Sequence, residues 1–253
     1  MSKTVLITGA ASGIGFYIAE QLANAGHHII VTDLHQYSAE QAAANIVDQG
    51  GNAQGFALNV ADSTAIELFF NEFKMPIDVL INNAGVQHVA KLEDFPADKW
   101  QFLQQVMLVG PAMTTKAVLP RMREQDFGRI INIGSIHAMV ASKYKSAYIA
   151  AKHGLIGFAK TMALETGDAN ITINTVCPAY VKTPLVEQQI ASQAKEHGLS
   201  EQQVIDTIML APMPKKAFIG LDEIQHTVAF LMADAARNIT AQAIAIDGGW
   251  TAQ

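Results

Sequence analysis

The sequence has little cysteine, since Cys177 is the one thiol among 253 residues. A single thiol forms neither an internal disulfide nor a multi-cysteine zinc site, and we expect it to act as a small buried hydrophobe. Such sparse thiol use suits a reducing compartment. No apolar run approaches the roughly 18 to 20 residues that cross a bilayer, because polar residues or glycine interrupt each one. We therefore expect a soluble cytoplasmic protein without a membrane partner.

The sequence also lacks clusters of basic residues. Its 17 Lys and Arg against 23 Asp and Glu give a net charge of −6, which repels phosphate backbones and argues against a nucleic-acid partner. The opening residues, MSKTVLITGA, have no basic start, apolar core and cleavage site, so no secretion signal is predicted. The eight histidines form no metal-ligand spacing with carboxylates, and we predict no metal site.

Short apolar runs rich in β-branched residues recur along the chain and predict seven strands. They are found at residues 4–8, 27–33, 55–60, 77–82, 128–134, 171–177 and 243–247. Continuous apolar runs are typical of strands buried on both faces, and the helical periods between them indicate the crossovers of a parallel sheet. No linker or repeat divides the chain. We predict a single α/β domain over 1–253, Rossmann-like and doubly wound, with a seven-stranded parallel sheet.

The stretch from about 180 to 220 departs from this alternation of strands and helices. Residues 188–210, QQIASQAKEHGLSEQQVIDTIML, have the pattern of two short amphipathic helices. Ligands of open parallel sheets lie beyond the carboxyl ends of the strands, and this excursion leaves from such an end. We therefore expect a small helical lid over a substrate site. An extra packed helical hairpin is the alternative.

The first apolar run leads into residues 8–15, TGAASGIG, where three glycines permit a tight strand-to-helix turn. Such a turn lets the backbone approach a pyrophosphate and indicates a dinucleotide site, with an ordinary tight turn as the alternative. Asp33 follows about twenty residues after the middle glycine, where a carboxylate accepts hydrogen bonds from both ribose hydroxyls. A 2′-phosphate would meet this charge, and no Lys or Arg occupies Ser12, Leu34 or His35, so the sequence favours NAD over NADP. A helix cap or a solvated carboxylate is the other interpretation of Asp33.

Two side chains with acid–base chemistry share one predicted helix face, because Tyr148 and Lys152 are four residues apart. Oxidation of an alcohol requires its proton to leave, and a phenol with a pKa of about 10 is a poor base unless a nearby ammonium stabilises its anion. Ser135, just after the fifth run, is placed to donate to the substrate oxygen. The YxxxK spacing alone also fits a half-buried tyrosine over a solvated lysine.

The GxxxGxG spacing at 9–15 and the NNAG motif at 82–85, taken with these residues, resemble the short-chain dehydrogenase/reductase family over the whole chain. The resemblance implies catalysis by Ser135, Tyr148 and Lys152. It further implies a nicotinamide cofactor bound by the following set: Thr8, Gly9, Ser12, Gly13, Ile14, Gly15, Asp33, Asn59, Val60, Asn83, Ala84, Gly85, Tyr148, Lys152, Pro178, Val181 and Thr183.

Three positions depart from the pattern of that family. Asn59 stands where the family usually has Asp, and Ala179 where it usually has Gly, but the Asn59 amide oxygen still accepts a hydrogen bond from adenine. Met107 occupies the position of the family's fourth catalytic residue, an Asn in a long helix. Because a thioether cannot replace an amide in a proton relay, we expect a backbone carbonyl of this helix to hold a water instead.

A narrower resemblance surrounds the substrate. The runs 135–148, 183–189 and 247–253 resemble the bacterial D-3-hydroxybutyrate dehydrogenases within the family. The substrate-binding residues that this implies are Gln87, His137, Lys145, Tyr180, Gln189 and Trp250. Lys145 would supply the charge for a bound carboxylate, and Tyr180, where that group often has Trp, would pack against the substrate methyl. A solvated or core-filling role is the alternative for each residue of the set.

We therefore expect a reversible NAD-dependent oxidation of the hydroxy acid (R)-3-hydroxybutyrate to the keto acid acetoacetate by a homo-oligomer. The R hand and a tetramer are implied by the resemblance alone. One alternative is a 3-oxoacyl-thioester reductase of the same family, against which Asp33 and the carboxylate-binding set argue. The other is a non-catalytic dinucleotide sensor, which would bind NAD without turnover and which the intact Ser135, Tyr148 and Lys152 disfavour.

Overall fold

A computed structural model describes residues 2–252, apart from the side chains at 185, 196 and 197. Met1 and Gln253, the ends of the predicted domain, lie outside the described residues. The described residues form one seven-stranded sheet with the order β3-β2-β1-β4-β5-β6-β7. Its strands are β1 (Thr4–Thr8), β2 (His28–Asp33), β3 (Asn52–Ala57), β4 (Val79–Asn82), β5 (Gly128–Ile133), β6 (Ile171–Pro178) and β7 (Ala243–Ile246).

Helices connect the strands and cover both faces of the sheet. Their bounds are α1 (Gly13–Asn24), α2 (Gln36–Asp48), α3 (Ser63–Glu72), α4 (Ala97–Gln104), α5 (Gly110–Glu124), α6 (Ser146–Glu165), α7 (Pro184–His197), α8 (Glu201–Val204) and α9 (Leu221–Met232). Neighbouring strands are parallel throughout the described sheet. The predicted Rossmann-like, doubly wound, seven-stranded fold is confirmed.

The central strand β1 shows why a continuous apolar run belongs inside such a sheet. Successive side chains of a strand point to opposite faces. Val5 and Ile7 pack in a core with residues of α1 and α9, whereas Leu6 packs in a second core with residues of α5 and α6. All three side chains are fully buried, so both faces of the strand need apolar residues.

The strand order reverses between β1 and β4, where the chain returns from the β3 edge to the centre of the sheet. In open α/β sheets a ligand crevice lies at such a reversal, beyond the carboxyl ends of the strands. Here β1 ends at Thr8, β4 at Asn82, β5 at Ile133 and β6 at Pro178. The segments that carry most of the predicted site residues follow these ends directly.

The predicted bounds of the third strand were wrong by three residues. The strand was expected at 55–60 and runs over Asn52–Ala57, paired with β2 from His28↔Asn52 to Asp33↔Ala57. It lies at the edge of the sheet, and its side chains are half-buried or exposed, so its sequence is not a continuous apolar run. The apolar residues that suggested the later start include Leu58, which lies beyond the strand and is buried. Every other strand end lies within two residues of its predicted position.

The 180–220 stretch forms the predicted excursion of two short helices, α7 and α8, followed by a π-helical turn at Ile205–Met209. The two ends of this stretch lie next to each other, because Val181 and Ile219 pair as an isolated parallel bridge. Ile190, Val204 and Met209 form a small buried cluster within it, against which Tyr180 packs. The excursion therefore has its own small core beside the carboxyl ends of the strands, and its closing motion stays a prediction.

Candidate active site

The glycine-rich turn joins β1 to α1 and packs against the segment after β4. Gly9 and Gly13 have φ values of +61° and +59°, a conformation that favours glycine. A Cβ atom at Gly9 would lie 2.8 Å from the Ala84 Cα, and one at Gly15 would collide with the Asn83 amide. Gly13, by contrast, has open space at that position and borders a cavity of about 400 Å³. This cradle needs glycine both for its turn and for close backbone packing.

Hydrogen bonds tie the turn to the NNAG segment. Asn83 Nδ2 donates to the carbonyl oxygens of Thr8 and Gly9, at 2.9 Å each. The backbone N–H groups of Asn83 and Ala84 donate to Thr8 Oγ1 at 3.0 and 3.1 Å. Thr8 and Gly15 do not line the cavity, so their contribution is to hold its walls in place.

Asp33 lies at the end of β2 and lines the 400 Å³ cavity. Its Oδ2 accepts a hydrogen bond from the Ala11 N–H at 3.1 Å, and its Oδ1 accepts one from the Leu34 N–H at 2.8 Å. These bonds fix the direction of the carboxylate, and each oxygen keeps further capacity to accept from a ligand hydroxyl. The negative charge therefore faces the cavity at a defined place.

The structure brings most of the predicted cofactor-binding residues to this cavity. They are Gly9, Ser12, Gly13, Ile14, Asp33, Asn59, Val60, Asn83, Ala84, Gly85, Tyr148, Lys152 and Thr183. Pro178 and Val181 line a second cavity of about 110 Å³, together with Thr183. Sequence reasoning missed apolar residues of the first cavity, among them Leu34, Phe102 and Val106. Leu34 directly follows Asp33, and Phe102 and Val106 are four residues apart on one helical stretch, but neither spacing distinguishes a residue that lines a cavity from an ordinary apolar residue.

The two cavities meet at Tyr148, which lines both of them. Ser135 lines the second cavity and Lys152 the first. A ligand in one cavity therefore lies beside a ligand in the other, with the Tyr148 phenol at the junction. Ser135 follows β5 and begins a short 3-10 helix, accepting a hydrogen bond from the His137 N–H at 3.2 Å.

Burial dominates the electrostatics of this junction. Burial raises the pKa of Tyr148, and a hydrogen bond with the Ser135 side chain acts in the opposite direction. Lys152 Nζ donates to the Ile133 carbonyl at 2.8 Å and lies 5.7 Å from the centre of the Tyr148 ring. Burial lowers the pKa of Lys152 to about 8. An anion formed at Tyr148 and the ammonium of Lys152 would stabilise each other in this dry site.

The second cavity collects most of the predicted substrate-binding set. Its lining includes Gln87, His137, Lys145, Tyr180 and Gln189. These side chains come from the segments after β4, β5 and β6 and from α7, which the fold brings together above the sheet. Trp250 does not line the cavity but lies behind it, stacked on Tyr180 with ring centres 5.9 Å apart and edge-on to His137 at 5.8 Å.

Lys145 is a buried cation with neutral surroundings. Lys145 is only 6% exposed, and burial lowers the pKa of its ammonium to about 8. Its Nζ donates to the Tyr180 hydroxyl at 3.4 Å. Among the side chains that the structure describes, no carboxylate pairs with it. A buried charge without a counter-ion is unfavourable, so this cavity is suited to an anionic ligand.

Met107 lies in a π-helical turn, Gln105–Val109, that interrupts the long helix between α4 and α5. Its side chain is fully buried and packs with Ala147 and Ala151 at the start of α6. Such a turn displaces regular helix hydrogen bonds and is frequent at functional sites. The thioether thus lies in the small buried cluster against which Tyr148 also packs, and its role in proton transfer stays a prediction.

Among the side chains that the structure describes, no group of His, Cys, Asp and Glu has an arrangement that could hold a metal ion. The helices within residues 2–252 include none with the length and apolar character of a membrane span. Cys177 is free and buried, and burial raises its pKa to about 11.

Comparison with known proteins gives the class that this fold and site define. The family model for short chain dehydrogenases matches residues 3–194. The chain therefore belongs to the short-chain dehydrogenase family, whose members are oxidoreductases that use a nicotinamide cofactor. It is 42% identical, over the full length of both chains, to the D-beta-hydroxybutyrate dehydrogenase of Rhizobium meliloti.

Two further relatives show the breadth of the family around this chain. The 3-oxoacyl-acyl-carrier-protein reductase of Salmonella typhimurium is 35% identical, with 98% of this chain and 96% of that protein covered. The crystal structure of actinorhodin polyketide ketoreductase with NADPH superposes with a TM-score of 0.92 at 31% identity and covers 98% of this chain and 97% of the other.

Proposed function

We propose that this protein is an NAD-dependent dehydrogenase that reversibly oxidises (R)-3-hydroxybutyrate to acetoacetate. The observation that carries the proposal is Lys145, a buried ammonium without a carboxylate partner among the described side chains, at the edge of a small cavity beside Tyr148. A short hydroxy acid supplies the missing negative charge and fits a cavity of about 110 Å³. The name of the Rhizobium relative supports the same substrate and its D (R) hand.

The cofactor preference rests on Asp33. Its carboxylate faces the cavity of about 400 Å³, and Lys152 is the one Lys or Arg among the described lining residues. A ribose with two free hydroxyls can donate to Asp33, whereas a 2′-phosphate would be repelled by it. The glycine turn supports a dinucleotide, because Gly9 and Gly13 line the cavity of about 400 Å³ and Gly13 leaves open space where a Cβ would stand. The chemistry that a bound NAD would supply is acceptance of a hydride from the substrate carbon.

Side chains of the protein would accept the proton that leaves the substrate hydroxyl. Ser135 Oγ donates a hydrogen bond to the substrate oxygen and holds it beside the Tyr148 phenol. The Tyr148 oxygen, in its ionised form, takes the hydroxyl proton as the carbonyl forms. Lys152 favours that ionised form through its charge, and Lys145 holds the substrate carboxylate at the opposite end of the cavity. Gln87 and Gln189 contribute hydrogen bonds to the same carboxylate, and His137 lines the cavity beside them.

One assay tests this proposal directly. Initial rates are measured with NAD or NADP against (R)- and (S)-3-hydroxybutyrate and against 3-hydroxybutyryl coenzyme A. We expect the highest kcat/KM with NAD and the free R acid. A higher kcat/KM with the thioester and NADP would overturn the proposal in favour of a thioester reductase, which the Salmonella relative represents. NAD binding without turnover would instead favour a dinucleotide sensor.

Two expectations from the sequence concern assembly and location. We propose a homo-oligomer, specifically a tetramer, and a cytoplasmic location. Light scattering on the purified protein and fractionation of cells test them, and a monodisperse monomer or a secreted protein would contradict them.

A further inference from the structure

The His137 ring is held between two serine hydroxyls. Its Nε2 lies 2.8 Å from Ser142 Oγ, and its Nδ1 lies 3.4 Å from Ser135 Oγ. The rings of Tyr148, Tyr180 and Trp250 surround it edge-on, with centres 5.8 to 6.2 Å away. The ring therefore has one orientation, and each nitrogen has one hydroxyl partner.

The imidazole at this place is neutral near pH 7. Burial and the nearby charges of Lys145 and His153 lower the pKa of His137 to about 3. A neutral imidazole carries one N–H donor and one acceptor nitrogen, so the two nitrogens play opposite roles. Which nitrogen carries the hydrogen is decided by the partners of both.

The two possible tautomers have different consequences for Ser135. With the hydrogen on Nε2, the ring donates to Ser142, and the bare Nδ1 attracts the single hydroxyl hydrogen of Ser135. With the hydrogen on Nδ1, the ring directs a donor towards Ser135, whose oxygen already accepts from the His137 N–H. In the second case the Ser135 hydrogen is not drawn to the ring and remains available to the Tyr148 oxygen and to the substrate oxygen.

We propose that Ser142 is a positioning residue that donates its hydroxyl hydrogen to His137 Nε2 and so keeps the Nδ1–H tautomer of the ring. The functional consequence rests on the proposed function, because it assumes that Ser135 donates to the substrate oxygen. Ser142 touches neither of the two cavities, so it acts through His137 alone. A hydroxyl is suited to this role because it can donate to Nε2 without adding charge.

The ¹⁵N chemical shifts of the imidazole measure the tautomer in the ligand-free protein. The signals of His137 are identified among the eight histidines by their loss in His137→Gln. We expect the wild-type ring to have a protonated Nδ1 and a bare Nε2. Ser142→Ala should shift the population towards Nε2–H, because water can accept from the freed nitrogen, whereas Ser142→Thr keeps the hydroxyl and should keep the wild-type pattern.

Kinetics supply the second measurement. We expect Ser142→Ala to lower kcat/KM for 3-hydroxybutyrate roughly tenfold, without changing the KM for NAD, and Ser142→Thr to restore most of the loss. A wild-type ring with its hydrogen on Nε2 would overturn the assignment, as would unchanged shifts and rates in Ser142→Ala. If the protein does not oxidise 3-hydroxybutyrate, the proposed function fails, while the tautomer measured in the free protein still decides the role of Ser142.

Discussion

Replacing Lys145 with methionine should weaken substrate binding and leave cofactor binding intact. Methionine keeps much of the length and apolar stem of lysine and removes only the ammonium. Lys145 lines the second cavity and not the first, so the KM for NAD is expected to stay unchanged. The KM for 3-hydroxybutyrate should rise, because the bound carboxylate loses its one cationic partner in a buried site.

The size of the effect follows from the burial of the ammonium. Burial lowers the pKa of Lys145 from 10.5 to about 8, which corresponds to about 3 kcal/mol against the charged form near pH 7. A bound carboxylate offsets this free-energy cost of the buried ammonium. Removal of a charge-assisted hydrogen bond between the two groups costs about 1.5–3 kcal/mol. At about 1.4 kcal/mol per factor of ten, the loss in kcat/KM is roughly 10- to 100-fold.

The assay compares initial rates of Lys145→Met with those of Lys143→Met. Lys143 is exposed in the same loop and provides a matched loss of charge. Binding of butyrate, which lacks the reacting hydroxyl, isolates the carboxylate contact. Because the folded-state pKa of Lys145 is about 8, butyrate affinity should be constant below pH 8 and fall about tenfold per pH unit above it. Lys145→Met should lack this pH dependence.

Stability provides an independent measurement on the same variants. The pKa of Lys145 is lower in the folded than in the unfolded chain, so the unfolded chain binds more protons between about pH 8 and 10.5. The contribution of Lys145 to the free energy of unfolding therefore rises with pH through that window. At pH 7, Lys145→Met should therefore raise Tm, by about 2–4 °C for each kcal/mol recovered. An unchanged substrate KM, or an equal rise in Lys143→Met, would refute the role of Lys145.

The remaining predictions concern the other parts of the site. Tyr148→Phe should lower kcat by roughly 10²- to 10⁴-fold with NAD affinity and Tm retained, since only the proton-accepting oxygen is removed, and substantial turnover at neutral pH would contradict this. Asp33→Ser should lower kcat/KM for NAD and raise it for NADP, and a constant ratio of the two would exclude Asp33 as the discriminating group. Met107→Asn should change kcat by less than about tenfold across the pH profile, whereas a gain of a hundredfold or more would mean that methionine impairs proton transfer.

The arrangement of strands and helices was predictable from the sequence because it depends on short-range properties. β-Branched apolar runs, the helical periods between them and glycines in a tight turn each express preferences of a few neighbouring residues. The sequence predicted the doubly wound fold, the glycine turn and the helical excursion in this way. It failed at β3, because the edge position of Asn52–Ala57 removes the burial that makes a strand read as an apolar run.

The chemical junction was predictable in part. The pairing of Tyr148 and Lys152 follows from their spacing on one helix face, whereas Ser135 was added to them by its place after a strand and by the family resemblance. The participation of Leu34 and Phe102 in the first cavity was not foreseen, and these apolar side chains are 55% and 44% exposed. Exposure of this kind is visible only when the neighbouring elements are in place.

Contacts between distant parts of the chain were decided by the tertiary structure alone. The hydroxyl of Tyr180 accepts from Lys145, 35 positions earlier, and Trp250 stacks on Tyr180 from near the end of the chain. Tyr180 was expected to pack against a substrate methyl, and its hydroxyl turned out to be the polar partner of the buried ammonium. No local pattern encodes such contacts, because they depend on the path of the chain across the sheet and on which side chains the crossovers bring to the same carboxyl edge.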